Sequence, residues 1–247
     1  MSLNNKVAIV TGASSGIGAA IAEKFSNEGA HVVMVGRNES KLSAVAARCK
    51  DPLVIKAELG NDEDIVRIID ETKKKYGKID ILVNNAATSV LASVLYGDLL
   101  KSYEEVMKVN FKAVVHLTKL AAPHLIETKG NIINISAIGG QRASAASVLM
   151  MYCVSKAAVN HFSQDVALEL APHKVRVNTI SPGPVRTDIL ENTKTPITWD
   201  DFQKKTALDR ISEPEEIADL ALFLASDKAK GITGSNFVSD NGMLLKS

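Results

Sequence analysis

The sequence predicts an α/β protein: a single domain on a doubly wound, mostly parallel sheet of seven strands with helices on both faces. Two observations carry this expectation. Short runs rich in β-branched residues alternate with longer helical stretches from one end of the chain to the other, which is the pattern of strand-helix-strand units. Most of those runs are also continuously apolar, as strands covered on both faces must be.

The runs read as strands are Val7–Val10, His31–Val35, Leu53–Lys56, Ile79–Val83, Asn131–Ile135, Val175–Ile180 and Asn236–Ser239. Helical patterns separate them at Gly18–Glu28, Asn61–Tyr76, Asn110–Glu127, Met151–Leu170 and Glu213–Ala225, and Lys73, Lys74 and Lys75 read as a solvated helix end. No linker, repeat or low-complexity segment divides residues 1–247, and the stretch with least pattern, 187–210, is expected to be a lid-like insertion. A chain of 247 residues can bury roughly three quarters of its unfolded surface, so one large core is enough to hold it.

Composition excludes several classes of partner. Lys and Arg number 29 against 28 Asp and Glu, leaving +1, with no basic footprint for nucleic acid or an anionic membrane. Cys49 and Cys153 cannot make a disulfide framework, and no His/Cys spacing suggests a metal. The start of the chain lacks a signal-peptide pattern, and no apolar run approaches the ~20 residues that span a bilayer. A cytoplasmic protein with no metal, membrane or nucleic-acid partner is expected. His31, His116, His124, His161 and His173 share no spacing and read as surface or helix-face residues.

The first strand runs directly into Thr11-Gly12-Ala13-Ser14-Ser15-Gly16-Ile17-Gly18. Glycine lets the backbone turn sharply and approach a pyrophosphate closely, while the following helix offers free N–H groups and a positive dipole end. The spacing Thr-Gly-x3-Gly-x-Gly resembles the form used by the short-chain dehydrogenase/reductase family, and further matches follow in order. Asn84-Asn85-Ala86-Ala87 stands where the family has Asn-Asn-Ala-Gly, and Asn110 opens the next long helix. Tyr152-Cys153-Val154-Ser155-Lys156 matches Tyr-x3-Lys, and Ser181-Pro182-Gly183-Pro184-Val185-Arg186-Thr187 matches the Pro-Gly segment ending in Thr.

The resemblance implies a Rossmann-type oxidoreductase that moves a hydride between a nicotinamide and a carbonyl or secondary-alcohol carbon of a small substrate. It places Gly12, Ser14, Ser15, Gly16, Ile17, Gly18, Asn38, Glu58, Leu59, Asn84, Ala86, Pro182, Gly183, Val185 and Thr187 on the cofactor, together with Tyr152 and Lys156. Glu58 stands where the family usually carries Asp. Strand two ends in Val35-Gly36-Arg37-Asn38, with no acidic residue to bind a ribose 2′-hydroxyl and with Arg37 placed to offer a charged fork to a 2′-phosphate. NADP(H) is the expected cofactor.

Tyr152 and Lys156 are i and i+4 on one helix face. A nearby ammonium is expected to lower the tyrosine pKa and make it a proton donor and acceptor. By resemblance Lys156 also holds the nicotinamide ribose, and Asn110 positions a water in a proton relay. The chain departs from the family after strand five, where Asn134-Ile135-Ser136-Ala137 puts Ala137 in the place of the substrate-binding serine. Ser136, or Ser144 or Ser147 from a lengthened loop, is a candidate substitute; the alternative is no substitute, and with it a catalytically weakened NADP(H)-binding protein with a regulatory or assembly role.

Ile138, Met150, Met151, Val185, Ile189, Leu190, Trp199 and Phe202 are expected to line an apolar pocket and its lid. The Met151–Leu170 helix is expected to lay Val154, Ala158, Phe162 and Val166 on the sheet and to offer Cys153, Ala157, Asn160, Gln164 and Leu168 to a partner copy, within the homotetramer that the resemblance implies.

Overall fold

The computed structural model describes residues 2–143, 146–188 and 198–246. β1 (Val7–Thr11), β2 (His31–Gly36), β3 (Leu53–Lys56), β4 (Ile81–Asn84), β5 (Asn131–Ile135), β6 (Arg176–Pro182) and β7 (Asn236–Ser239) form one sheet in the order β3-β2-β1-β4-β5-β6-β7. Every pairing is parallel. Strand order reverses between β1 and β4, which opens a crevice at the carboxyl ends of those two strands.

The continuously apolar strands have a direct structural cause. Ala8, Val10, Val32 and Met34 point to one face, under α1 (Gly16–Asn27), α2 (Glu39–Ala46) and α8 (Pro214–Ala225). Val7, Ile9, Val33 and Val35 point to the other, under α3 (Asp62–Tyr76), α5 (Ala113–Thr128) and α6 (Met150–Leu170). Successive side chains alternate across a strand, so both sets must be apolar when both faces are covered. Asp80, just ahead of β4, is buried. Its carboxylate accepts the Val7 N–H (2.9 Å) and meets Lys6 (3.2 Å) and Lys78 (2.9 Å), tying the start of β1 to β4.

Local signals set the helix ends. Asn61 caps α3 by accepting the Glu63 N–H, three acidic residues fill its first turn, and Lys73, Lys74 and Lys75 occupy its last turn before the left-handed Gly77. Asn110 does not open a helix. Helical structure begins upstream with α4 (Leu99–Met107), passes through a π-helical turn at Lys108–Lys112 that contains Asn110, and continues into α5.

The sheet-facing side of α6 also differs from expectation. It carries Ser155, Lys156, Val159, Ser163, Val166, Ala167 and Leu170, whereas Val154 is exposed along with Ala157, Gln164 and Leu168. Two of the three buried residues in its first half, Ser155 and Lys156, are polar, so apolar spacing misplaces it. Of the lid-like stretch, the described part contains α7 (Trp199–Gln203), closed by a capping box between Thr198 and Asp201; Ile189 and Leu190 lie outside the described residues. Among the described residues no helix is long and apolar enough to cross a membrane.

Candidate active site

The glycine turn between β1 and α1 is built for close approach. Gly12 and Gly16 have φ of +68° and +53°, which side-chain-bearing residues rarely adopt. A Cβ on Gly18 would stand 2.3 Å from the Gly12 carbonyl oxygen, so helix and turn touch there directly. Ser15 occupies the N-cap of α1 without a side-chain bond to the helix, which leaves N–H groups of the first turn to a ligand. Thr11 and Asn85, not singled out as site residues from sequence, hold the turn. Thr11 Oγ1 accepts the N–H groups of Asn85 (2.9 Å) and Ala86 (3.1 Å), and Asn85 Nδ2 donates to the Thr11 carbonyl (2.8 Å). Both residues stand in the recognised motifs, but their mutual bonds appear only when β1 and β4 lie side by side.

At the end of β2, Arg37 is exposed, with Nη1 3.5 Å from Glu58 Oε2. Asn38 is spent on capping α2, where its side chain accepts the Lys41 N–H (3.0 Å). Leu59 packs into the core beneath α3. The Asn84 side chain turns into the protein and donates to Asn134 (2.8 Å), which donates to Ser163 (2.8 Å) on α6. Beyond β6, the Gly183 N–H donates to the Ser239 carbonyl (2.9 Å) and Val185 is buried, so Val185 belongs to the core more than to an open pocket. Thr187 returns to the glycine turn, its γ-methyl where a Gly16 Cβ would meet it at 2.8 Å. Sites far apart in sequence, from Gly12 to Thr187, thus share one crevice.

Tyr152 and Lys156 lie on the first turns of α6. Lys156 is buried, its Nζ donates to the Ile135 carbonyl at the end of β5 (2.7 Å), and it lies 5.7 Å from the centre of the Tyr152 ring. Burial pushes the Lys156 ammonium down to about 8. Burial also pushes the Tyr152 phenol above its ordinary value, with the neighbouring Cys153 acting in the same direction. Burial dominates at the Tyr152 phenol, and the Lys156 ammonium expected to lower it is directed at the Ile135 carbonyl. Tyr152 holds its proton at neutral pH. Asn110 reaches the same region from the π turn, where its Oδ1 accepts the Thr88 N–H (2.7 Å) and its Nδ2 donates to the Thr88 carbonyl (2.9 Å) and to Ser155 Oγ (3.1 Å). Ser155 in turn donates to the Tyr152 carbonyl (2.7 Å).

Ser136 is not turned toward Tyr152. Its N–H still pairs with the Ile180 carbonyl (2.7 Å), and its buried hydroxyl donates to the Lys156 carbonyl (3.1 Å). The chain stays extended through Ala137, at φ −164° and ψ 158°, before the short 3-10 turn at Ile138–Gly140. No bend brings the Ser136 hydroxyl to the other side, which corrects the expectation that it could substitute for the missing serine. Ser147 is exposed, and Ser144 lies outside the described residues.

A glycine turn at a strand-order reversal, a Tyr-x3-Lys pair on the helix beside it and an asparagine that ties this helix to the segment after β4 define a dinucleotide-dependent oxidoreductase crevice, and comparison with known proteins agrees. The chain belongs to the short-chain dehydrogenase/reductase family. A family model described as Enoyl-(Acyl carrier protein) reductase matches residues 12–244. The chain is 37% identical to an NAD-dependent glycerol dehydrogenase of Listeria innocua, covering 99% of this chain and 96% of that one. It is 35% identical to a meso-2,3-butanediol dehydrogenase of Serratia marcescens, covering 98% and 96%. Among solved structures, a short-chain dehydrogenase/reductase of unknown function from Caenorhabditis elegans, determined with cofactor, superposes with a TM-score of 0.92 at 30% identity, covering 99% and 97%. These relatives place the chain among oxidoreductases that interconvert carbonyl and alcohol groups.

Proposed function

We propose that this protein is a cytoplasmic NADP(H)-dependent oxidoreductase that reduces a carbonyl, or oxidises a secondary alcohol, of a small apolar substrate. The observation that carries the chemistry is the pairing of a protonated Tyr152 with the buried Lys156 at the carboxyl end of β5. Gly12, Ser14, Ser15, Gly16, Ile17 and Gly18 would hold the pyrophosphate, Arg37 and Asn38 the phosphorylated ribose, and Glu58 and Leu59 the adenine. Asn84, Ala86, Pro182, Gly183, Val185 and Thr187 would border the nicotinamide half. The positions where a Cβ would collide with backbone at Gly12 and Gly18 fit such a close-lying group. When bound there, a nicotinamide supplies or accepts the hydride. Tyr152 gives its proton to the carbonyl oxygen or takes one from the alcohol, Lys156 holds the adjacent ribose, and Asn110 braces Thr88 and Ser155 around the reacting groups.

Support for the phosphorylated cofactor comes from Arg37, exposed at the strand end with no carboxylate in residues 35–38. NADPH is expected to bind at least ~10-fold more tightly than NADH, because only the 2′-phosphate offers Arg37 a charge-assisted bond, and Arg37→Asp should invert the order. A fluorescence titration decides it; equal affinities in the unmodified protein would remove the reading.

A second reading has its own observation. Ala137 offers no hydroxyl, and Ser136 is committed to the Lys156 carbonyl, so the protein could be a weakened enzyme whose role is nucleotide binding. A panel of ketones, diketones, quinones and secondary alcohols followed at 340 nm distinguishes the two. If turnover is found, Ala137→Ser should raise kcat/KM by about 10-fold, since a preorganised donor is restored beside the substrate oxygen. No change would mean that a loop serine already supplies it.

The exposed outer face of α6, with Val154, Ala157 and Leu168, supports association into a homotetramer. Light scattering at micromolar concentration should give four times the 26.4 kDa chain mass; a monomer would exclude this.

A further inference from the structure

α2 starts at the corner that follows Arg37, and the Asn38 cap places Lys41 in its first turn. From there Lys41 Nζ reaches 147 positions along the chain and donates to Asp188 Oδ2 (2.5 Å). The Ser15 side chain of the glycine turn also stabilises this carboxylate, and together these neighbours hold Asp188 below the usual carboxylate range, Lys41 contributing most. Thr187, the residue before Asp188, already rests on Gly16. Arg37 meanwhile rests on Glu58. Both cations of the β2–α2 corner are therefore matched to carboxylates that come from other parts of the chain.

An ammonium and a serine hydroxyl converging on one anion, beside a helix N-terminus, form the donor set that a phosphate takes. Asp188 fills that set with a single negative charge, whereas a ribose phosphate carries about −1.5 to −2 at neutral pH. The Lys41–Asp188 pair is partly exposed, its side chains retaining 51% and 33% of their accessibility, so it is a weak pair and exchangeable for a stronger anion. We propose that Lys41 is a second recognition residue for the cofactor's 2′-phosphate, and that Asp188 is its built-in competitor, which sets how far the protein prefers the phosphorylated cofactor. This rests on the NADP(H) reading above, but it concerns different residues. Lys41 acts on phosphate only by leaving Asp188, so binding of the phosphorylated cofactor releases the residue that follows Thr187.

Equilibrium titrations of the whole protein with NADPH, NADH, adenosine 2′,5′-bisphosphate and 5′-AMP test the assignment without measuring turnover. Lys41→Ala should weaken the two 2′-phosphate ligands by about 10-fold and the other two by less than about 2-fold, and Lys41→Arg should keep most of the affinity. Asp188→Asn should tighten the 2′-phosphate ligands a few-fold, because the competitor loses its charge. Equal weakening of all four ligands by Lys41→Ala, or none, would overturn the recognition role; unchanged or weaker NADPH binding in Asp188→Asn would overturn the competitor role. If the unmodified protein binds NADPH and NADH equally while Lys41→Ala weakens only the 2′-phosphate ligands, the preference assigned to Arg37 fails and the Lys41 assignment is supported.

Discussion

Tyr152→Phe should lower turnover by about 10²- to 10⁴-fold, the contribution of a positioned proton donor. The change deletes one oxygen and leaves the ring that packs beside Lys156, so NADPH affinity and thermal stability should hardly move. That combination separates lost chemistry from a damaged fold. The direction of the tyrosine shift adds a pH signature. Burial raises its pKa, so the protonated form needed for carbonyl reduction persists at and above neutral pH, while alcohol oxidation, which needs a proton acceptor, should rise with pH. Assays of both directions across roughly pH 6–10, the range where general acids and bases of this kind titrate, check it. Full turnover by Tyr152→Phe would place the proton transfer on another group.

Gly18→Ala should affect binding as severely. Its added Cβ would lie 2.3 Å from the Gly12 carbonyl oxygen and 2.4 Å from Asn85 Nδ2, and the first of these is backbone that cannot rotate away. Either α1 or the turn must shift, and both belong to the surface that would face the pyrophosphate. Overpacking of this kind costs about 1–3 kcal/mol, or a fall of roughly 2–12 °C in Tm, with nucleotide affinity reduced by about 100-fold where the N–H groups lose their aim. Gly231→Ala is the control, since nothing stands within 4 Å of the Cβ it would add. Tight NADPH binding by Gly18→Ala would show that the turn is not the pyrophosphate seat.

The inner strands were legible because their physics is one-dimensional: a strand covered on both faces is an unbroken apolar run, as in Val7 to Val10 and Val32 to Val35, whereas β3 and β7 are half exposed and carry a weaker signal. Short or weakly amphipathic helices were not. In α2 only Leu42 and Val45 are buried, and in α4 only Ser102 and Val106, too few to make a stripe. The face of α6 was misread because function places Ser155 and Lys156 where core positions usually are apolar. Tyr152 and Lys156 could be found by their spacing. The commitment of Ser136 to the Lys156 carbonyl, like the meeting of Lys41 with Asp188, depends on distances across the fold that spacing does not contain.

The π-helical turn at Lys108–Lys112 bears on how the helix spanning Leu99–Thr128 can change. Such a turn takes in one more residue than an α turn, and each residue of an α-helix advances about 100° around the axis, so everything beyond it is rotated by about that amount relative to everything before it. Upstream, Ser102 and Val106 meet one set of neighbours; downstream, Ala113, Leu117, Ala121 and Leu125 meet the sheet; Asn110 sits between, bonded to Thr88. A straight α-helix has a single phase, and moving a polar group into a site would drag its packing face out of the core. The helix here has two phases joined at Asn110, so loss of one residue within the turn would bring the two faces into conflict.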